Sequence, residues 1–89
     1  MNRWRVYTPF VCRVVIERTE FHSNPSFDGM SEKEVIESVK ANILYRWPSA
    51  DLRMTKHLGK TAIDVSRDGN FYYEEPEAPT FLYHVAQGC

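Results

Sequence analysis

The feature that most constrains this sequence is a single helix signal between residues 31 and 47. Ser31 and Glu34 form the pattern of a capping box, in which each side chain accepts a hydrogen bond from the other residue's backbone N–H. Pro48 disfavours helical geometry at Trp47, so we predict a helix that begins at Glu32 and ends at Trp47. Its apolar residues recur at three- and four-residue spacing and form one stripe: Val35, Ile36, Val39, Ile43 and Trp47.

A helix with one apolar stripe needs a second element to cover it, and the residues before it predict strands. Apolar and polar residues alternate from Phe10 to Phe21, which indicates a half-buried strand. Trp4 and Val6 also alternate with charged neighbours, and Thr8-Pro9 interrupts the ladder. Either one bent edge strand or a short first hairpin fits this stretch. The residues 22–30 are rich in Asn, Pro, Ser, Asp and Gly, and they predict a loop.

The residues after the helix predict further strands. Leu52 and Met54 alternate with polar residues, as do Ile63 and Val65, and the residues 58–60 between them can turn.

The next stretch is predicted to form a hairpin. Arg67-Asp68-Gly69-Asn70 is a strong tight-turn sequence, and Phe71-Tyr72-Tyr73 would form its second arm. An extended loop is expected over 74–80, followed by a last strand from Phe81 to Val85.

These elements indicate one α+β domain spanning residues 1–89, since 89 residues cannot bury two separate cores. We expect one α-helix packed on an antiparallel β-sheet of four to five strands, in the order β-α-β-β-β, with or without an N-terminal hairpin. The predicted core comprises Trp4, Val14, Ile16, Val39, Ile43, Trp47, Leu52, Met54, Ile63 and Val65.

Charge and cysteine content exclude several classes of protein. The net charge of -1 argues against a general nucleic-acid coat protein. Two cysteines are too few for a disulfide-stapled secreted domain, and Cys12 is interpreted as a small core hydrophobe. No run of eighteen apolar residues and no signal-peptide core is present. The expected location is therefore a reducing cytoplasm, with no membrane contact.

No motif for a catalytic or cofactor-binding centre is present. His22, His57 and His84 have no cysteine or acid at the spacing of a metal site. The elbow of a serine hydrolase and the glycine-rich loop of a nucleotide site are both missing. We therefore assign no catalytic residue, no metal ligand and no cofactor, and expect a protein that is not an enzyme.

One stretch combines aromatic rings with carboxylates, and we call it the aromatic–acidic segment. An exposed tyrosine beside acidic side chains is typical of a protein-binding hot spot, because the ring contributes contact area and the acids steer a basic partner. Alternation lets only one of Tyr72 and Tyr73 point inward, so at least one ring is expected to be exposed near the carboxylates. The segment's candidate partner-binding residues are Asp68, Tyr72, Tyr73, Glu74, Glu75 and Glu77.

An alternative site is a basic group around the predicted third strand. Cations beside aromatic rings can bind single-stranded RNA, and a metal-independent ribonuclease needs only a base, an acid and a cation. In that alternative, Tyr72 or Tyr73 would lie opposite the cations. The basic group consists of Arg46, Arg53, Lys56, His57 and Lys60.

The layout from Phe10 to Met54 resembles that of several small bacteriophage proteins that bind and disable a host machine, such as RNA polymerase or a CRISPR effector. The resemblance lies in a strand, a turn-rich loop, a helix opened by Ser31 and Glu34, and Trp47-Pro48 leading into a strand. It carries over no functional residue. Such inhibitors are often strongly acidic, whereas this chain is near neutral, which disfavours the version that mimics nucleic acid.

Together these features predict a non-enzymatic protein-binding module, of the phage inhibitor type, that occludes a site on a host enzyme or defence complex. Its partner would be a host protein or nucleoprotein complex in the host cytoplasm. A small RNA-binding or RNA-cleaving protein is the alternative, and a homodimer formed through an exposed sheet edge is compatible with both.

Overall fold

A computed structural model describes residues 1–76 of the chain. The chain forms two antiparallel hairpins joined by one helix. The first hairpin comprises β1 (Trp4–Phe10) and β2 (Arg13–Arg18), and the second comprises β3 (Asp51–His57) and β4 (Lys60–Ser66). The helix α1 (Glu32–Arg46) connects them.

The two hairpins form one four-stranded antiparallel sheet in the order β1-β2-β4-β3. The inner strands β2 and β4 pair from Arg13 opposite Asp64 to Ile16 opposite Thr61. Helix α1 packs on one face of this sheet, and we call the other face the helix-free face. This arrangement confirms the expected α+β class, and it shows that the N-terminal stretch forms a hairpin instead of one bent strand.

Helix α1 has the boundaries that its capping residues predict. The Ser31 hydroxyl accepts a hydrogen bond from the Glu34 N–H at 3.2 Å, and the Glu34 carboxylate accepts one from the Ser31 N–H at 3.0 Å. Trp47 is the C-cap, and its N–H donates to the Ile43 carbonyl at 2.8 Å. Among the described residues, no helix has both the length and the apolar character that crossing a bilayer requires.

The core lies between α1 and the sheet. The predicted residues Trp4, Val14, Ile16, Val39, Ile43, Ile63 and Val65 are all buried there. Trp47 and Leu52 are partly buried against this core. The prediction for Met54 was wrong: it is 47% exposed, because within residues 1–76 β3 is an outer strand that pairs on one side only. Residues of the core that the prediction omitted are Val6, Phe27 and Val35.

Two strand predictions were wrong in detail. The strand expected from Phe10 to Phe21 is shorter, because the chain turns at Val11 and Cys12. The hairpin expected after Arg67-Asp68-Gly69-Asn70 is not formed, and residues 71–76 form no strand. The reason is that β4 already pairs with β2 on one side and β3 on the other, so a chain leaving β4 has no free edge to pair with. The strand expected from Phe81 to Val85 lies outside the described residues.

The β3–β4 turn contains a residue in an unfavourable conformation. Leu58 and Gly59 have φ angles of 52° and 81°, the combination found in two-residue type I′ turns. Glycine adopts positive φ freely, whereas an L-residue with a Cβ is strained there, and asparagine tolerates it best.

We therefore expect Leu58→Asn to raise the free energy of unfolding by about 0.5–1 kcal/mol, because it relieves this strain and creates an Asn-Gly turn. Urea denaturation followed by circular dichroism measures the change. Leu58→Val is the matched control and should lower stability, since a β-branched residue fits positive φ poorly. A Leu58→Asn variant that is no more stable than the wild type would contradict this assignment of the turn.

Candidate functional site

The aromatic–acidic segment lies against the turn between β1 and β2. The Cys12 N–H donates to the Tyr72 carbonyl at 3.2 Å, and the Val11 N–H donates to the Glu74 carbonyl at 2.7 Å. Because neighbouring side chains of an extended chain point in opposite directions, Tyr72 and Tyr73 diverge. Their hydroxyls bond to different carboxylates, Asp68 and Asp64 respectively. The segment therefore reaches both sides of the sheet from one end.

Tyr73 lies over the helix-free face and bonds to a buried carboxylate. Its hydroxyl donates to Asp64 Oδ2 at 2.6 Å. The Arg13 guanidinium donates to the same carboxylate from Nε at 2.7 Å and from Nη2 at 3.0 Å. Asp64 is 1% exposed. Three donors thus satisfy a carboxylate that water does not reach, which is the condition for a buried charge to be tolerated.

The sheet register places these charges in one row. Arg13 on β2 is directly opposite Asp64 on β4, and Asp64 is directly opposite Arg53 on β3. Directly opposed residues of an antiparallel ladder share a face, so all three side chains belong to the helix-free face. The row alternates in sign, with the carboxylate between two guanidinium groups.

These contacts determine the protonation state of Asp64. Burial by itself raises the pKa of the Asp64 carboxyl, but the hydrogen bonds from Arg13 and Tyr73 outweigh burial and hold that pKa below its ordinary value. The hydrogen bond to Asp64 is also the largest cause that raises the pKa of Arg13. Both partners are therefore ionised at neutral pH.

Aromatic rings surround this charged row. The Phe10 ring makes edge contacts with His57 and Tyr73, at centroid distances of 5.7 and 5.9 Å. The Arg13 guanidinium lies 5.1 Å from the Tyr73 ring centroid. Arg53 lies 3.9 Å from the centroid of a further ring, that of Phe71, and donates to the Tyr73 hydroxyl at 3.1 Å. The Tyr73 side chain is thus held in one place by contacts on several sides.

His57 also touches the charged row. Its Nδ1 lies 3.3 Å from Nη1 of Arg13. A guanidinium can only donate, so Nδ1 is the acceptor when this contact is a hydrogen bond. His57 is thereby tied to the row that anchors the aromatic–acidic segment.

Tyr72 points to the side of the sheet that carries α1. Its hydroxyl donates to Asp68 Oδ2 at 2.5 Å, and the Asn70 N–H donates to Asp68 Oδ1 at 3.0 Å. The hydrogen bond from Tyr72 is the largest cause that lowers the pKa of Asp68, and the same bond raises the pKa of the Tyr72 phenol. Asp68 is therefore an anion next to a fixed aromatic ring.

A cavity of about 230 Å³ lies beside Tyr72, between α1 and the β1–β2 turn. Its apolar lining includes Cys12, Trp47 and Val65, and its polar lining includes Arg67 and Asp68. Burial raises the pKa of the Cys12 thiol, so the thiol is protonated at neutral pH and contributes a small apolar surface, as predicted. The cavity thus combines an apolar floor with a charged rim.

The structure leaves most of the predicted partner-binding residues exposed, but the rings of Tyr72 and Tyr73 lie toward opposite sides of the sheet. Tyr72 is 41% and Tyr73 46% exposed, so both rings reach solvent although both hydroxyls are bonded within the molecule. The expectation that at least one of the two rings is exposed agrees with this, and neither ring is buried. The other exposed members are Asp68, Glu74 and Glu75, and Glu77 lies outside the described residues.

The basic group is divided between different parts of the molecule. Arg53, His57 and Lys60 lie on the helix-free face, whereas Lys56 lies on the opposite face, since it pairs with Thr61 in the ladder. Lys60 is bonded to the Glu17 carboxylate, and Lys56 Nζ lies 3.4 Å from Thr61 Oγ1. Arg46 lies in the last turn of α1.

Sequence reasoning missed Arg13 and Asp64, the two residues that hold the site together. Their signal is one charge of opposite sign on each of two strands, but it becomes meaningful only once β2 and β4 are known to pair. Within residues 1–76, no three His, Cys, Asp or Glu side chains come together to hold a metal ion. His84 and Cys89 lie outside this range.

We expect Asp64→Asn to lower the free energy of unfolding by about 3 kcal/mol, because it leaves the partly buried Arg13 guanidinium without its charge partner. Tyr73→Phe should cost about 1 kcal/mol, since it removes one hydrogen bond to a buried group. Tyr72→Phe is the matched control and should change stability by less than about 0.5 kcal/mol, because its carboxylate partner is exposed. Urea denaturation measures all three, and equal costs for the two tyrosine variants would contradict the proposed anchoring by Tyr73.

The depressed pKa of Asp64 also predicts an acid-dependent loss of stability. A carboxyl whose pKa is lower in the folded than in the unfolded state stabilises the fold above its unfolded pKa of about 3.9, and this contribution is lost as the pH falls through the folded pKa. The wild type should therefore lose more unfolding free energy than Asp64→Asn between about pH 5 and pH 2. Glu34 and Asp68 also have lowered pKa values, but the wild type and Asp64→Asn both contain these carboxyls, so their contribution to the pH dependence cancels in the comparison. Parallel pH profiles for the two proteins would refute this assignment.

Comparison with family models, with curated proteins and with solved structures found no match to this chain. A function can therefore be argued only from the geometry of the described residues.

Proposed function

We propose that this chain is a non-enzymatic protein-binding module and that the aromatic–acidic segment is its contact surface. The observation that carries the proposal is the state of Tyr72 and Tyr73. Their rings are 41% and 46% exposed, while their hydroxyls are held by Asp68 and Asp64. Exposed aromatic rings that are already fixed in position are the kind of residue that dominates protein–protein binding energy.

Fixation matters because ordering side chains costs free energy on binding. An immobilised, rotamer-rich side chain costs about 0.5–1.5 kcal/mol at an interface. Tyr73 is held by the Asp64 and Arg53 hydrogen bonds and by the Phe10 ring. Tyr72 is held by Asp68. Most of this cost is therefore met when the chain folds, before a partner arrives.

The cavity beside Tyr72 supports the same function. At about 230 Å³ it is smaller than the roughly 300–1,000 Å³ typical of small-molecule sites. Its size suits one side chain of a protein partner, which would pack on Trp47 and Val65. Hot spots of this kind are anchor side chains that fill a pocket surrounded by polar residues.

The charge of the surface favours a partner with basic residues. Glu74 and Glu75 are exposed, and Asp68 is ionised at the rim of the cavity. Acidic groups at an interface rim accelerate association with a positively charged surface and oppose binding of an acidic one. The resemblance to phage inhibitors adds that such binding occludes a site on a host enzyme or defence complex in the host cytoplasm.

The test is affinity capture from a bacterial lysate with the wild type and a matched set of variants, followed by titration with each purified protein that is captured. Tyr72→Ala should weaken binding by at least about tenfold, because loss of a hot-spot residue costs about 2 kcal/mol or more. Tyr45→Ala is the control, since Tyr45 is 80% exposed on α1, and it should bind like the wild type. Tyr73→Ala is unsuitable, because it also breaks the anchoring network.

A charge-reversal pair provides the second arm. The double variant Glu74→Lys and Glu75→Lys should slow association and reduce its salt dependence, whereas Glu20→Lys and Glu37→Lys should not. All four positions are exposed, so the fold should survive, and circular dichroism verifies this. Capture that is unchanged in both Tyr72→Ala and the Glu74/Glu75 variant would overturn the proposal.

RNA binding by the basic group is the alternative function. The observation that favours it is that Arg53 and His57 share the helix-free face with the ring of Tyr73, since stacking on such rings is how single-stranded RNA is held. It is the weaker proposal, because Arg13 is paired with Asp64 and Lys60 with Glu17. Salt-sensitive binding of oligouridine that Arg53→Gln weakens, alongside no captured protein, would favour it.

A further inference from the structure

The two outer strands of the sheet differ in how their free edges are protected. On β1, the Val6 N–H donates to Asn24 Oδ1 at 2.8 Å, and the Asn24 N–H donates to the Trp4 carbonyl at 2.8 Å. The same strand carries Pro9, and its ladder with β2 loses register beyond Tyr7. A covering loop, a proline and an irregularity are the usual means by which an edge strand is prevented from pairing with another chain.

The outer edge of β3 has none of these protections among the described residues. Its ladder with β4 is regular from Asp51 to His57, and it contains no proline. No strand within residues 1–76 pairs with its outer side. Its two exposed cations are both engaged inward: Arg53 lies over the Phe71 ring at 3.9 Å, and Lys56 Nζ lies 3.4 Å from Thr61 on the neighbouring strand. Both contacts direct the cation toward β4 and away from the outer edge.

The hairpin geometry identifies the backbone groups of β3 that no strand within residues 1–76 pairs with. In a two-residue hairpin the closing pair, here His57 and Lys60, exchanges both hydrogen bonds, and bonded and non-bonded pairs then alternate along the ladder. The N–H and C=O groups of Leu52, Met54 and Lys56 therefore point away from β4. Met54 is at the centre of the strand and is 47% exposed.

We propose that β3 pairs with β3 of a second copy of this chain, in antiparallel register about Met54. This joins the two sheets into one of eight strands, with both helices on the same side, because directly opposed residues of an antiparallel ladder share a face. Asp51 of each copy then lies opposite His57 of the other. The pairing uses a backbone edge and not the aromatic–acidic segment, so it does not depend on the proposed function.

The ends of β3 make a second copy the best-matched occupant of this edge. The acid Asp51 stands at one end, and the imidazole of His57 stands at the other. Antiparallel self-pairing therefore brings unlike ends together twice. At the centre, Met54 of one copy lies opposite Met54 of the other. Within each copy, Met54 and Ile36 of α1 line a shallow groove. The pairing thus covers Met54, the large apolar side chain at the centre of β3 that is exposed in the monomer.

Sedimentation velocity over a range of protein concentrations tests the proposal. The wild type should shift from monomer toward dimer as its concentration rises. Asp51→Lys should weaken the dimer by at least about tenfold, because it replaces the acid opposite His57 with a cation at both ends of the paired strands. Glu37→Lys makes the same charge change on the exposed side of α1 and should leave dimerisation unaltered. Both positions are exposed, so neither change should prevent folding.

A charge swap distinguishes this pairing from any other mode of association. Asp51→Lys and His57→Glu should each dimerise at least about tenfold more weakly than the wild type when studied alone. The first removes the acid that faces His57, and the second places two acids opposite one another. Mixed together, they should form a heterodimer. In that heterodimer the introduced lysine of one copy faces the introduced glutamate of the other, while Asp51 faces His57 at the opposite end of the paired strands.

Three outcomes would overturn the proposal. The first is a wild type that stays monomeric at every concentration. The second is a dimer that Asp51→Lys leaves intact, and the third is a mixture of the two charge-swap variants that fails to associate.

Discussion

The arrangement of this molecule depends on one buried ion pair, between Arg13 of β2 and Asp64 of β4. A carboxylate that is 1% exposed requires compensation, and Arg13 and Tyr73 supply three donors to it. Asp64 joins the two inner strands through Arg13, and it joins the sheet to the aromatic–acidic segment through Tyr73. The main effect of a buried pair of this kind is structural specificity and not net stability. Hydrophobic residues could fill the same space, but they would not determine where Tyr73 binds.

The local parts of the fold were predictable, and the non-local parts were not. The capping box at Ser31 and Glu34 and the stop at Pro48 act within a few residues, so the limits of α1 followed from short-range chemistry. The wrong hairpin after Asn70 shows the opposite case. Its turn residues are strong, but whether the following residues can pair depends on the edges of β4, which β2 and β3 occupy. Strand order is a property of the whole chain, and no local pattern encodes it.

In the candidate site, too, the local features could be predicted from the sequence and the non-local contacts could not. The exposed carboxylates and tyrosines were identified from composition, because rings next to acids are conspicuous in a sequence. The hydrogen bonds that hold those tyrosines were not identified. The bond that holds Tyr73 depends on the pairing of Arg13 with Asp64, and these two residues are 51 positions apart along the chain. Nor could alternation decide the exposure of Tyr72 and Tyr73, because the segment is not a strand and lies across the end of the sheet. Met54 was misjudged for a related reason: the position of β3 in the sheet leaves it uncovered.

The pairing of β2 with β4 also has a consequence for the order in which the chain folds. Each hairpin and the helix can form from residues close together in sequence, which is fast. Joining the two hairpins requires closure of the long loop that contains α1. Loop closure costs conformational entropy before the packing contacts that offset it have formed, so it is the slow step in such topologies. Docking of the tyrosine segment has to follow that event, because half of its binding site is contributed by each hairpin. The surface with which we expect this protein to bind others is therefore completed last, after the two halves of the sheet have met.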